Sequence, residues 1–396
     1  MNILIAIDSM KGSLTSLEAG RAAAEGIRMA WPDAEIRVCP LADGGEGTAE
    51  ALIGAMGGER VRATVTGPLG APVTCEYGIL EGDRPENPGA GRIAVMEMAA
   101  AAGLTLVPPE SRNPLFTTTR GVGEMIRDAV GRGCREFVVG IGGSATNDGG
   151  IGMLQALGWD FLDERGNPVA DGAAGLKELR RIEWGRALPE LARCRFRVAC
   201  DVRNPLCGSD GASEVFGPQK GASPDLAREM DGWMRRYADL ARSAVPEADP
   251  SSEGSGAAGG LGFAFRTFLK ADLEPGAKIV LEKTGIARGI EDADVVVTGE
   301  GRLDGQTAMG KGPGIVASLA KRYGKPVVAL AGSIAKDADR CREGGIDAFF
   351  SIVKGAVTLE EAMEKENAKE NLADAAEQVF RLWKLAAGER GKGGKR

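Results

Sequence analysis

Four short segments of this chain combine acids, cations, hydroxyls and glycines as a phosphate-handling site would require. Asp8-Ser9-Met10-Lys11-Gly12-Ser13 sets a carboxylate, an ammonium and hydroxyls just ahead of a helical pattern, where free N–H groups attract anions. Ala42-Asp43-Gly44-Gly45-Glu46-Gly47-Thr48 holds two carboxylates among three glycines. Asp43 and Glu46 suit Mg²⁺, which takes hard oxygen ligands and keeps several waters. Gly140 to Gly150 is the densest segment. Gly142, Gly143, Ser144 and Gly149 could turn backbone N–H groups onto a phosphate, and Asp148 could hold a metal ion or accept a proton. The fourth runs from Thr298 to Pro313. Its Gly305 to Gly312 approximates G-x-x-x-x-G-K, but Gly312 stands where Ser or Thr would meet Mg²⁺. A true Walker loop is therefore not expected, although Gly310 and Lys311 ahead of Pro313 make a phosphate site.

Two further segments belong with these. Asp201, in Cys200-Asp201-Val202-Arg203-Asn204-Pro205-Leu206, is either a catalytic carboxylate or an Asx-turn before the proline. Gly259 and Gly260, within Gly256 to Gly262, either hug a nucleotide or form the tight start of a helix. Each segment alone also reads as a turn or cap. Together they describe a site of carboxylates, lysines and N–H donors, which suits phosphoryl transfer, where catalysis is mostly positioning and charge neutralisation.

Composition narrows the chemistry. The 396 residues include no histidine, which removes Ser-His-Asp and Cys-His catalysis and histidine-bound zinc. The net charge of −7 argues against a nucleic-acid surface or a polybasic membrane binder. Seven scattered cysteines with no C-x-x-C fit reduced thiols. No apolar run is long enough to span a membrane, and the apolar N-terminal run lacks a preceding basic region, so a cytoplasmic protein is expected.

The elements that must position these loops follow from periodicity. Met1 to Ile7 reads as a strand, Leu14 to Met29 as a helix capped by Ser13, Thr15 or Ser16, and Glu35 to Pro40 as the next strand. From Arg60 to Met98 the pattern changes to short, antiparallel-looking strands. Glu136 to Ile141 is a buried strand, Asp225 to Ala244 a helix, and Pro246 to Gly262 a loop. The α/β rhythm returns with strands at Ala293 to Thr298, Pro326 to Leu330 and Ala348 to Val353, and with a final helix from Glu360 to Leu385. The expected fold class is α/β. Residues 1–60 and 287–390 form a doubly wound domain, residues 61–286 an inserted second α/β domain, and residues 391–396 a disordered tail.

The motifs at residues 8–13, 42–48, 142–150, 201–206, 256–262 and 298–307 resemble, in order, the series of the bacterial glycerate kinases. The resemblance spans nearly the whole chain. It implies a flavodoxin-like domain carrying an inserted α/β domain with the site between them. It also implies dependence on ATP and Mg²⁺, D-glycerate as acceptor, and phosphoglycerate as product, the 2-phosphate being usual. On this reading Lys11 and Lys311 neutralise phosphate oxygens, and Asp43, Glu46 and Asp148 serve Mg²⁺. Asp201 or Asp148 takes the hydroxyl proton. Asp8, Ser9 and Asp304 contact substrate, and Arg302 or Arg120 clamps its carboxylate. Departures are Gly312 before Pro313, Met10 where Phe is usual and Ile7 where Pro is usual. A homodimer stays open.

Two other readings compete. Gly140-x-Gly142-x-x-Ala145 after a strand, with Asp163 beyond it, approximates an NAD(P)-dependent oxidoreductase fingerprint. A metabolite or nucleotide sensor without catalysis would need the same ligand contacts.

Overall fold

The computed structural model describes residues 1–42, 47–82, 91–309 and 312–388. Strands β1 (Asn2–Ile7), β2 (Glu35–Val38), β3 (Glu59–Thr66), β4 (Pro72–Leu80), β5 (Ile93–Glu97) and β6 (Glu136–Gly140) come first. They are followed by β7 (Asp160–Leu162), β8 (Arg181–Glu183), β9 (Arg195–Ala199), β10 (Asp272–Glu274), β11 (Val295–Leu303), β12 (Val327–Ile334) and β13 (Ala348–Ser351). The chain is mixed α/β and divides into two compact units, Met1–Asp43 with Val280–Arg396, and Gly44–Ile279.

The first unit is built on a parallel sheet of order β13-β12-β11-β1-β2. Successive side chains of a strand point to opposite faces, and a parallel sheet covered by helices buries both. Ile3, Ile5 and Ile7 accordingly join Val295 and Val297 in one core, under helices Ser16–Ala30 and Lys365–Ala386. Leu4 and Ala6 join Val296, Ala329 and Ala331 in another, under helices Ile286–Asp292 and Gly312–Arg322. This accounts for the unbroken apolar runs of β1 and β11.

Of the three candidate caps, Thr15 starts the first helix. Its hydroxyl accepts the Glu18 N–H, and the Glu18 carboxylate accepts the Thr15 N–H. Ser16 instead donates to the Ile7 carbonyl at 2.5 Å and accepts the Leu41 N–H at 2.7 Å, tying β1 to the end of β2. One difference from the sequence reading matters for the site. β11 does not stop at Thr298 but runs to Leu303, with Gly299 opposite Leu330 and Arg302 opposite Ser333. A Cβ at Gly299 would lie 1.9 Å from the Leu330 carbonyl oxygen, so this glycine permits close strand approach and does not break the strand.

The second unit holds a mixed sheet of order β10-β9-β6-β5-β4-β3. β3, β4 and β5 are antiparallel neighbours, whereas β5, β6, β9 and β10 run parallel. A separate ribbon pairs β7 with β8. The stretch read as a loop to Gly262 is helical sooner: a helix is assigned over Ala257–Leu269, interrupted by left-handed backbone at Ala258, Gly259 and Gly260. No helix among the described residues is long and apolar enough to cross a membrane.

Helices Ser16–Ala30 and Lys365–Ala386 approach so closely that a Cβ at Gly26 would sit 1.8 Å from the Ala373 carbonyl oxygen. Gly26→Ala is therefore expected to destabilise the protein by about 1–3 kcal/mol, the usual cost of overpacking. Gly131→Ala, whose added carbon meets nothing within 4 Å, serves as the neutral control in the same thermal melts. Equal midpoints for both variants would contradict the close helix contact.

Candidate active site

The carboxyl ends of the parallel strands in the first unit surround a cleft of about 960 Å³. In an open α/β sheet that edge collects ligand-binding loops, most of all where strand order reverses. Here the reversal falls between β1 and β11. β2 lies on one side of β1, and β12 and β13 lie beyond β11. Asp8, Ser9 and Lys11 follow β1 directly, while Glu300 and Arg302 stand near the end of β11, with Asp304 one residue past it. All six line the cleft.

Local bonding holds this cluster. The Ser9 N–H donates to Asp8 Oδ1 at 2.7 Å, and the Asp8 N–H bonds the Gly299 carbonyl at 2.8 Å, joining the two strand ends. Glu300, only 9% exposed, accepts the Thr307 hydroxyl, and Asp304 accepts the Gln306 N–H. A Cβ at Gly312 would lie 3.5 Å from Asp8 Oδ2, so the start of helix Gly312–Arg322 faces that carboxylate. Lys11 and Arg302 are exposed. The cluster thus presents hard oxygen ligands and two exposed cations to the cleft.

The second unit carries the segment after β6. Asp148 is completely buried and its carboxylate is ringed by donors. The Thr119 N–H and hydroxyl reach Oδ2 at 2.9 and 2.8 Å, the Gly150 N–H reaches Oδ1 at 3.0 Å, and the Gly152 N–H reaches Oδ2 at 3.4 Å. Burial pushes its pKa up, against these four donors, which favour the ionised form. Lys220, 2% exposed, donates to Ser144 Oγ at 2.8 Å and to the Thr146 carbonyl at 2.6 Å. Burial drives its ammonium down to about 7, with attraction to Asp148 acting the other way. Thr117 adds a bond to the Ala145 carbonyl at 2.9 Å. The whole 144–152 turn is fastened from inside.

These contacts revise several expectations. Asp148 was expected to be open to a metal ion or a proton, but its oxygens already accept four donors. Gly149 was expected to turn its N–H onto a phosphate, and Gly259 and Gly260 either to hug a nucleotide or to form the tight start of a helix. Instead they let two backbones touch: the Gly149 N–H bonds the Gly259 carbonyl at 2.9 Å. A Cβ at Gly259 would lie 2.0 Å from the Thr146 carbonyl oxygen, and one at Gly260 would lie 2.8 Å from Gly149 Cα. Gly142 and Gly143 are exposed. Arg120 is committed to Asp171 through Nε and Nη2, the shortest contact being 2.8 Å, and also reaches Gln155. Asp201 is exposed and accepts the Gly276 N–H at 3.2 Å.

Asp43, Glu46, Gly310 and Lys311 lie outside the described residues. Among the described residues no group of three or more Cys, Asp or Glu is set to hold a metal ion. The oxidoreductase fingerprint has no support. After β6 the next helix is Ile151–Ala156, entered through Gly150 and well past Ala145, so the fingerprint itself opens no helix, and Asp163 is occupied by the Arg165 and Asn167 N–H groups of its own turn.

Sequence reasoning passed over Lys220 and Glu300. The signal for Lys220 was its place in Gly217-Pro218-Gln219-Lys220-Gly221, a tight turn with a charged residue that the turn itself does not need. Glu300 was hidden because its stretch was read as a loop.

Strand order and site together define a mixed α/β protein that gathers acids and cations at the switch point of a parallel sheet. A model of the glycerate kinase family matches residues 3–384. The glycerate kinase of Bacillus subtilis (strain 168) is 47% identical over 386 residues, covering 98% of each chain. The glycerate 2-kinase of Escherichia coli (strain K12) is 45% identical over 393 residues, covering 99% of this chain and 100% of that one. A crystal structure from Salmonella typhimurium LT2, of a protein assigned as glycerate kinase 2, superposes with a TM-score of 0.88 at 46% identity, covering 98% of this chain and 99% of that one. The chain belongs to the glycerate kinase family.

The buried lysine makes stability depend on pH in a defined direction. Between pH 7 and the ordinary lysine value of 10.5 the unfolded chain keeps the Lys220 proton and the folded chain releases it. Stability from this group therefore rises with pH across that window, by up to about 1.4 kcal/mol per pH unit. Lys220→Met removes the contribution, so wild type should gain stability relative to the variant between pH 7 and 9 in urea titrations. Parallel curves would show that Lys220 keeps its proton in the fold.

Proposed function

We propose that this protein transfers the γ-phosphoryl group of ATP to a hydroxyl of D-glycerate, with Mg²⁺ as the metal and 2-phosphoglycerate as the product. The observation that carries the reading is the cleft at the β1–β11 switch point, where Asp8, Ser9, Lys11, Glu300, Arg302 and Asp304 converge in a member of the glycerate kinase family. The relative named a glycerate 2-kinase supports the 2-phosphate. The order β2-β1-β11-β12-β13 supports a flavodoxin-like first unit, and the range Gly44–Ile279 supports reading the second as an insertion.

The acceptor oxygen attacks the γ-phosphorus, the bond to the bridging oxygen of ADP breaks, and the hydroxyl proton passes to a carboxylate. Lys11 neutralises phosphate oxygens. Arg302, exposed on the cleft, clamps the glycerate carboxylate bidentately, because Arg120 is already bound to Asp171. Asp201, exposed where Asp148 is buried, accepts the proton, while Asp148 and Lys220 keep their loop in shape. Mg²⁺ commonly takes one or two carboxylates plus substrate phosphates and water, and Asp8, Glu300 and Asp304, though not gathered as a three-ligand set, line the cleft from which one or two such oxygens would come. When bound, the ion supplies charge neutralisation on the transferring phosphoryl group.

ADP release with ATP, Mg²⁺ and D-glycerate, followed by NMR of the product, tests the reading. Magnesium-dependent turnover to the 2-phosphate is expected, and a different isomer would correct the regiochemistry. Asp201→Asn should lose about 10²–10⁴-fold in kcat, the usual contribution of a positioned base. Near-native turnover of that variant would remove Asp201 from the role.

A further inference from the structure

The cleft of the first unit has two chemically different walls. Its polar wall is the cluster at the ends of β1 and β11. The rest of the lining comes from the ends of β12 and β13, the residues that follow β13 and the short helix Leu359–Met363, and Ile334, Val353, Val357, Leu359 and Met363 form an aliphatic wall there beside Ser333, Ser351 and Thr358. Several of these side chains stand in water. Ile334 is 37% exposed, Val357 53% and Leu359 75%. Large apolar groups left exposed together, rimmed by polar residues, mark a surface covered by a protein, a membrane or a ligand, and inside a cleft the ligand is the occupant that fits. The walls meet at the Lys11 loop, where a Cβ at Gly12 would lie 2.8 Å from the Met363 terminal methyl.

We propose that this aliphatic wall is the binding face for the nucleoside base of the phosphoryl donor, with the donor's phosphates directed to Lys11. The proposal rests on the kinase reading above and assigns the donor's apolar end to named residues. A cleft of about 960 Å³ is at the upper end for a small-molecule site, and glycerate occupies only a fraction of it. Glycerate is also polar at every carbon and gains nothing from an aliphatic wall. A nucleoside triphosphate has the matching division: a flat, weakly polar ring at one end and a polyanion at the other. Thr358 fixes the wall by capping its helix, its hydroxyl accepting the Glu361 N–H at 3.2 Å while its own N–H donates to the Glu361 carboxylate at 3.0 Å. Leu359 and Val357 are therefore held in place without being needed for the core.

The test compares ATP with inorganic tripolyphosphate, which has the phosphates and no base, on wild type and on the Val357→Ser, Leu359→Ser double variant. Both side chains are exposed, so the variant should melt with the wild type. KM for ATP should rise about tenfold with kcat unchanged, a loss of uniform binding. KM for D-glycerate and inhibition by tripolyphosphate should not change. Unchanged KM for ATP, or equal weakening of ATP and tripolyphosphate, would overturn the proposal. So would an effect confined to D-glycerate, which would give the wall to the acceptor. If wild type does not turn over D-glycerate, the kinase reading fails by itself. Equilibrium titration with the same two ligands and the same variant then decides the base site, and equal affinity of variant and wild type for ATP refutes it.

Discussion

A strand covered by helices on both faces can offer side chains to a ligand only at its ends. The first unit follows from that constraint. Ile3, Ile5 and Ile7 serve one core and Leu4 and Ala6 the other, so the first side chain after Ile3 that belongs to neither core is Asp8, immediately past the strand. β11 obeys the same rule through Val295 to Val297 and releases Glu300, Arg302 and Asp304 near its end. Because the strands are parallel, all of these ends lie at one edge. Because the order reverses between β1 and β11, the loops there diverge and leave room between them.

The second unit solves a different problem, the burial of charge. A carboxylate and an ammonium removed from water are costly unless hydrogen bonds replace hydration. Asp148 receives four donors, two of them from Thr119, and Lys220 donates to Ser144 and Thr146. Removing Asp148 would leave the buried Thr119, Gly150 and Gly152 donors unmet, so the arrangement specifies one shape for the 144–152 turn. The glycines beside it belong to the same design. Gly259 and Gly260 lack the Cβ that would collide with the facing backbone, and Gly149 lacks one that would meet the Tyr237 ring.

The absence of histidine is consistent with both units. Phosphoryl transfer asks the protein for position and charge neutralisation, which lysine, arginine, carboxylates and backbone N–H groups supply. Lys11 and Arg302 are exposed, whereas Lys220, with its pKa drawn down to about 7 by burial, has a structural setting.

How much of this could be read beforehand depended on whether the deciding forces were local. The apolar runs, the capping sequence at Thr15, the antiparallel stretch from Arg60 and the glycine-acid loops all rest on neighbours within a few residues, and the family follows from their order. Asp8, Ser9, Lys11, Arg302 and Asp304 were legible for that reason. What only the tertiary structure decided involves partners far apart in sequence. Gly299 continues a strand because Leu330 lies against it, Gly259 packs on Thr146, Arg120 is captured by Asp171, and Lys220 is buried beneath Ser144. A glycine in isolation signals a turn, a strand crossing or a ligand cradle equally well. The distinction is made by what its missing Cβ would have touched, and that is set by the packing of distant segments.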